Sequence, residues 1–312
     1  MIEVVDGATD DAAVARIYSD VMRWWTTTPE RVRYFRGAMP TLRDWLARVD
    51  GEAVGAARCV ELPDMKESEA ASADICVLPA ARQRGVGTLL FEHTSTHARS
   101  LGKTELEVFA YEDDADGVAF AERRGFRCIM RMRSLRLVLE GLEAPSIELP
   151  DGVSLTTLAE RPDLGHQMWE VACEAIPDIP IDSDMPMHPG TFEEFHSLHL
   201  AGPRLISDAT FLALHGDDVI GYGQLEWQDR AGGIAVHEML AVRRAFRGRG
   251  VAGAIKAAQI SWALETGLKE LRTGNEERNV AARAVNARYP YQPTPDGLLF
   301  RGPIASDTHD AE

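Results

Sequence analysis

Several things are scarce in this chain, and each scarcity removes a class of function. Cysteine occurs four times, at Cys59, Cys76, Cys128 and Cys173, widely spaced and without a C-x-x-C pair. That pattern excludes a disulfide framework and a zinc knuckle, and it predicts reduced, mostly buried thiols. His93 with His97, and His196 with His199, have the helical spacing of zinc ligands, but no further ligands cluster near them, so no metal is expected. Long apolar runs are missing, since no window approaches the roughly 18 residues of a spanning helix. The opening M-I-E-V-V-D-G has neither a basic nor an apolar leader region, so the expectation is a soluble, cytoplasmic protein with no membrane partner. Positive charge is also short: 33 Lys and Arg face 49 Asp and Glu, for a net charge of −16. Both halves are acidic and neither has a basic tail. Nucleic acid is therefore not an expected partner, whereas an amine-bearing small molecule is. Nothing resembles a Ser-His-Asp set, and nothing sets the oligomeric state.

What is present runs twice through the chain. A strand at Ile2–Val5 leads to a helix from Asp10 or Asp11 through Trp25, with Trp24 and Trp25 assigned to the core, and then to a helical piece within Thr26–Leu42. Strands Trp45–Val49 and Ala53–Leu62 flank Asp50-Gly51, a strong hairpin signal. A strand at Ser72–Leu78, a helix to about Ser100, a strand at Glu105–Tyr111, a short helix at Gly117–Arg124 and a strand pair within Arg127–Leu139 follow. Gly141–Gly152 carries two prolines and little periodicity, so the expected domains are 1–140 and 153–305, with 141–152 as linker and 306–312 as a disordered tail. The second half restarts with strand Val153–Leu158, helix Leu164–Ala175, loop Ile176–Pro189 and helix Phe192–Leu200. A hairpin spans Thr210–His215 and Val219–Trp227. It continues with strand Ala235–Val242, helix Val251–Thr266, strand Glu270–Gly274 and helix Asn279–Asn286.

The most informative stretch lies between the last long strand and its helix. R-x-x-G-x-A, across Arg247, Gly250 and Ala252, joins an apolar strand to a helix. Such a turn gathers backbone N–H groups and the positive end of a helix dipole at one point, which makes an anion site suited to phosphate or pyrophosphate. Glycine permits close approach, and Arg247 and Arg249 can add charge-assisted contacts. The first half repeats the pattern at an offset of 165: Arg82 with Arg247, Gly85 with Gly250, Gly87 with Ala252, Val77 with Val242, and Gly125-Phe126 with Pro290-Tyr291. One matched turn could be chance; the same order of elements at one offset is an internal repeat.

This order, with its R-x-x-G-x-G/A turn, resembles the GNAT superfamily of acyl-CoA-dependent N-acyltransferases, as two tandem copies covering nearly the whole chain. The resemblance implies an α/β (α+β) fold of two tandem domains, each with a mixed, largely antiparallel sheet flanked by helices. It implies acetyl-CoA as co-substrate. Val77 and Val242 would pair with the pantetheine arm, while Arg82, Arg84, Gly85, Val86 and Gly87, and Arg247, Gly248, Arg249, Gly250, Val251 and Ala252, would hold pyrophosphate. Asn275, Asn279 and Asn286 resemble a triple-asparagine pattern of one branch, in which Asn279 would contact the coenzyme arm. Asn286 stands where many relatives keep a thiolate-protonating tyrosine. The first half has Asp114 and Ala121 at those places, so catalysis is expected in the second domain, and the first is structural or binds acyl-CoA without turnover.

Acyl transfer from a thioester to an amine needs a proton acceptor for the amine and a proton for the leaving thiolate. Glu238 lies four residues before Val242, so alternation puts both on one face. Tyr222 and Glu226 on the preceding strand complete a candidate acceptor wall. Ala73 takes Glu238's place in the first half, Glu61 matches Glu226 by offset, and Asp74 points away. His237 faces the other side and is structural. Tyr291 or Tyr289 is a general acid if it faces the thioester. The acceptor amine would be lined by the irregular segments Thr26–Leu42 and Ile176–Pro189. The rival reading is a non-catalytic acyl-CoA or metabolite sensor, and a longer acyl chain is a third.

Overall fold

A computed structural model describes residues 1–23, 26–181 and 187–306 of the chain. The expected core roles of Trp24 and Trp25, part of the loop expected at 176–189 and the tail expected beyond Ser306 lie outside those residues. The chain forms two compact units: unit 1 is Met1–Ile129 with the chain from Leu298 on, and unit 2 is Met130–Gly297.

Unit 1 contains β1 (Ile2–Asp6), α1 (Asp11–Val21), α2 (Pro29–Ala38), β2 (Arg43–Val49), β3 (Glu52–Val60), β4 (Ala70–Val77), α3 (Val86–Ser100), β5 (Glu105–Tyr111) and α4 (Ala115–Glu122). β6 (Arg127–Val138) leads into unit 2, followed by β7 (Val153–Thr157), α5 (Gly165–Ala175), α6 (Phe192–Phe195), β8 (Phe211–His215), β9 (Asp218–Asp229), β10 (Ile234–Val242), α7 (Val251–Glu265), β11 (Glu270–Glu276), α8 (Val280–Asn286) and β12 (Gln292–Pro293). β13 (Gly297–Pro303) returns the chain to unit 1. Strand order is β1-β2-β3-β4-β5-β13 in unit 1 and β6-β11-β10-β9-β8-β7 in unit 2. β4 with β5 and β10 with β11 are parallel, while β1–β2, β2–β3, β3–β4, β6–β11, β9–β10, β8–β9 and β7–β8 are antiparallel.

Local chemistry explains the elements. Asp50 and Gly51 both take positive φ, at 51° and 89°, as a two-residue hairpin requires. Asp10 caps α1 through the Ala13 N–H, and Thr28 caps α2 with Pro29 in the first turn. In unit 1, Val14, Ile17 and Val32 pack on one face of the sheet, and Val86 and Leu90 pack on the other. In unit 2, Met168 and Val171 of α5 pack against Tyr222 and Ala241, while Ile255 of α7 packs against Ile220 and Val242 on the opposite face.

Three expectations are corrected. Arg127–Leu139 is a single long strand, not a pair, because β6 runs unbroken along β11 from Met132 to Val138. That pairing places the chain in unit 2 before Gly141–Gly152 begins. The helix expected over Phe192–Leu200 is α-helical only to Phe195 and becomes a π-turn at His196–Leu200. Of the four free thiols Cys59 and Cys76 are buried, but Cys128 is exposed.

Candidate active site

The repeat is visible element by element. α3 and α7 begin and end at an offset of 165, as do β5 and β11. Each strand ends in the same turn. Gln83 and Gly85 take φ of 58° and 91°, and Gly248 and Gly250 take 74° and 95°, so the chain winds left-handed twice before the helix starts. Arg82 Nε donates to the Val77 carbonyl at 3.2 Å, and Arg247 Nε donates to the Val242 carbonyl at 2.9 Å, tying each turn back to its strand. Gly85 and Gly250 are the N-caps and supply no side-chain acceptor. Among the described residues, no acceptor receives the N–H groups of residues 248–252. Those amides and the start of a 15-residue helix form an anion cradle that fits a pyrophosphate.

Each unit also opens its sheet. β4 pairs with β5 only from Ala70 to Ala73, and β10 pairs with β11 only from Ile234 to His237. Beyond those points the two strands are no longer paired, and apart from the Val77 and Val242 carbonyls taken by the arginines the exposed backbone edge is open to an extended ligand. In unit 1 the opening is a cleft of about 410 Å³, lined among others by Val77, Val108, Tyr111, Gly85 and Phe120.

The opened strands of the two units differ by a bulge. β4 runs along β3 without irregularity, whereas β10 has a bulge against β9 in which His237 faces Leu225 and Met239 faces Gln224, leaving Glu238 unpaired. Registers show what this means. Ala73 pairs with Cys59 and Val108, and His237 pairs with Leu225 and Thr273, so Ala73 is matched by His237. Glu238 is therefore an extra residue without a counterpart, not a replacement for Ala73. By the same registers Glu226 corresponds to Val60, not Glu61. The bulge also resets alternation. Before it His237 bonds to Gln259 of α7, and after it Leu240 and Val242 pack on that face. Glu238 instead shares the α5 side with Tyr222 and Met239, so the expected common face of Glu238 and Val242 does not form.

Glu238 is exposed, and among the described residues no ion pair or hydrogen bond occupies its carboxylate. It lies within electrostatic reach of His199, Arg204 and Tyr222. The other predicted wall residues are committed elsewhere. Glu226 is buried and paired with Arg204 at 3.0 Å, and Gln224 touches it while also donating to the His199 carbonyl at 2.8 Å. Tyr222 is fully buried, and desolvation raises its pKa. Glu61 pairs with Lys103, and Asp74 lines the cleft of unit 1 with its carboxylate held by Arg58 at 2.5 Å.

On the α7 side, Tyr291 is not a free acid. Gln259 Nε2 donates to the Ala209 carbonyl at 3.3 Å, so its Oε1 faces His237 Nδ1 at 2.9 Å, and that nitrogen must carry the hydrogen. His237 Nε2 is then an acceptor, and the Tyr291 hydroxyl, 3.0 Å away, donates to it. Burial raises the phenol's pKa and pulls His237 well below the usual histidine range. Asn279 caps α8 by accepting the Ala282 N–H, and Asn286 is buried with Nδ2 on Asn275 Oδ1. Arg247 and Arg244 are both held by Asp178, whereas Arg249 and Arg84 are exposed. Sequence reading missed Lys256, which is buried at 2% exposure; a lysine on the apolar stripe of a helix was its only signal.

A strand edge opened beside an amide cradle at a helix start is thus built twice in one chain. The profile of the acetyltransferase (GNAT) family matches residues 12–126 and 179–288, and the chain belongs to that family. Acetyl-CoA is the acyl donor of the acetyltransferases in that family. The mycothiol acetyltransferase of Nocardia farcinica is 33% identical over 121 residues, 39% of this chain and 38% of that protein. The one from Geodermatophilus obscurus is 28% identical over 224 residues, 70% of this chain and 69% of that protein. The matched chain thus spans well under half of the first relative and about two thirds of the second. A tandem GNAT protein from the clavulanic acid biosynthesis pathway superposes with a TM-score of 0.76 at 21% identity, covering 98% of this chain and 99% of that one. A GCN5-related N-acetyltransferase from Sphaerobacter thermophilus gives 0.71 at 20%, covering 98% and 96%. At these identities the solved structures establish the fold. Among the described residues there is no metal-binding cluster and no helix long and apolar enough to cross a membrane.

Proposed function

We propose that unit 2 transfers an acetyl group from acetyl-CoA to a primary amine of a small molecule, by direct attack in a ternary complex. The observation that carries this reading is Glu238: an unpaired carboxylate on an inserted residue, placed where β10 parts from β11 and absent from unit 1. The cradle at residues 247–252 holds the pyrophosphate, and the free edge of β10 up to Val242 pairs with the pantetheine arm. The amine approaches from the α5 side and gives its proton to Glu238, directly or through water. Arg204 neutralises Glu226, which leaves Glu238 as the uncommitted base of the wall. Unit 1 does no chemistry. Its match to Asn279 is Asp114, and it has no equivalent of the bulge.

The acceptor class agrees with the names of the mycothiol acetyltransferase relatives, which point to a small molecule. The acidic balance of the chain favours an amine-bearing one. The test is Glu238→Gln, assayed with acetyl-CoA and a broad panel of small amines. Release of free thiol should fall by roughly 100-fold or more while acetyl-CoA affinity by calorimetry stays within about threefold. Undiminished turnover in the variant would rule out Glu238 as the base. A wild-type protein that binds acetyl-CoA but acetylates no amine would favour a sensor.

A further inference from the structure

Two irregularities of unit 2 meet at one place. After the capping box at Thr191, the helix that begins at Phe192 widens into the π-turn His196–Leu200. On β10 the chain bulges at Glu238. Gln224 joins the two: it faces Met239, the residue after the bulge, and its amide donates to the His199 carbonyl at 2.8 Å. Widened helical turns and bulges both interrupt regular hydrogen bonding, and both are common beside functional sites. Unit 1 has neither at the matching places. Its β4 runs along β3 without a bulge, and its α2 stays α-helical over Pro29–Ala38. The register places of Gln224 and Met239 are held there by the ion pair of Arg58 and Asp74.

The π-turn sets the His199 side chain over the α5 side of the sheet. Its imidazole lies 4.9 Å from the Phe195 ring between centroids. Phe195 belongs to the core cluster that contains Tyr222 and Ala241, with Met239 packed against it. The charge that acts on the imidazole is that of Glu238, which also acts on Tyr222. The ring and the free carboxylate therefore border the same space, one from the π-turn and one from β10. Among the described residues, neither ring nitrogen of His199 makes a hydrogen bond. The ring is half-buried, and desolvation lowers its pKa, so it is neutral at neutral pH and one nitrogen carries a lone pair.

An attacking primary amine has one lone pair and two N–H bonds. The lone pair must point at the thioester carbonyl, and one N–H gives its proton to Glu238. The second N–H needs an acceptor of its own, or the lone pair swings away from the carbonyl. We infer that His199 accepts this second N–H and thereby makes unit 2 selective for primary over secondary amines. The assignment rests on Glu238 being the base of unit 2. As the carbon–nitrogen bond forms, the carbon–sulfur bond breaks and its electron pair leaves on sulfur, which takes a proton from water. The first amine proton passes to Glu238 and from there to solvent. The second stays on the amide nitrogen, still bonded to His199. An N-methyl amine has a single N–H, which Glu238 takes, and it sets a methyl group against the ring nitrogen.

The test compares a primary amine that the wild type acetylates with the N-methyl derivative of the same amine. The wild type should favour the primary amine by about 10-fold or more in kcat/KM. His199→Phe keeps the ring contact with Phe195 and removes the acceptor nitrogen. It should lower kcat/KM for the primary amine by roughly 10- to 100-fold and collapse the preference, with acetyl-CoA affinity within about threefold. His199→Gln, whose carbonyl oxygen can accept, should keep most of the preference. A preference unmoved in His199→Phe overturns the assignment, whatever happens to overall activity. If that variant does not fold, a preference lost in His199→Gln overturns it instead. Turnover undiminished in Glu238→Gln, or a wild type that acetylates no amine, removes the underlying reading and this one with it.

Discussion

At the scale of single residues, an inserted glutamate sets the second copy apart, and so does Lys256, which stands where unit 1 has Phe91. Lys256 should be visible in stability. Its folded pKa is about 7 against an ordinary 10.5, and the cause is desolvation. Between those values the unfolded chain holds a proton that the folded chain has released, so stability rises as pH increases across the window. Below the folded pKa the full cost of burying the ammonium is present. Lys256→Met removes that cost, so the variant should be more stable than the wild type at pH about 6, by an amount on the order of a few kcal/mol. The gap should narrow toward pH about 10. Urea denaturation at a series of pH values measures this. A variant that is less stable at pH about 6 would mean that the ammonium has a compensating partner.

At the scale of elements, the strand–turn–helix unit was legible because its backbone demands are written in residue types. Glycines at left-handed φ, an arginine returning to the strand carbonyl and a helix without a side-chain cap leave the same letters twice. The chemistry on the strands was less legible, because period-two alternation assumes unbroken pairing. One inserted residue at Glu238 moved it off the face of Val242 and shifted the offset comparisons on β9 and on β10 up to His237. Nor could spacing along β9 show that Arg204, from a separate loop, takes up Glu226. The turn carries its own prediction. Asp178 bridges Arg244 at 2.8 Å and Arg247 at 2.7 Å, and those contacts hold its carboxyl down at about 2. Both arginines are partly exposed, so the pairs contribute little to stability, but they place a negative charge beside the cradle. Asp178→Asn should tighten acetyl-CoA binding by about 2- to 10-fold at low ionic strength, and the gain should shrink as salt screens the site. Calorimetry at two salt concentrations measures it. Equal or weaker binding in the variant would mean that Asp178 orders the turn instead of competing with phosphate.

At the scale of the whole molecule, the duplication was legible but the path of the chain was not. No periodicity announces that β6 pairs with β11 in unit 2, or that the last strand returns to pair with β5 in unit 1. Strand partnership is decided by tertiary packing, which a run of alternating residues does not encode. The copies also differ in what crosses the opened sheet. In unit 1, Arg82 in the turn after β4 makes a two-point pair with Asp114 at the start of α4, at 2.7 and 3.0 Å, and lies 3.5 Å from Asp116, which Gln83 also contacts. In unit 2 the corresponding residues are Asn279 and Ala281, and neither carries charge. The mouth of the unit 1 cleft is thus strapped by an ion pair, and its two carboxylates oppose a pyrophosphate arriving at residues 83–87. The chain should therefore bind one equivalent of acetyl-CoA. Asp114→Asn keeps the helix cap while removing the charge that holds Arg82. That variant should gain a second, weaker site in a calorimetric titration, with kcat per chain unchanged because unit 1 lacks the bulged glutamate. Two equivalents bound by the wild type would show that the strap yields to the ligand. One equivalent bound by Asp114→Asn would place the block elsewhere in the cleft.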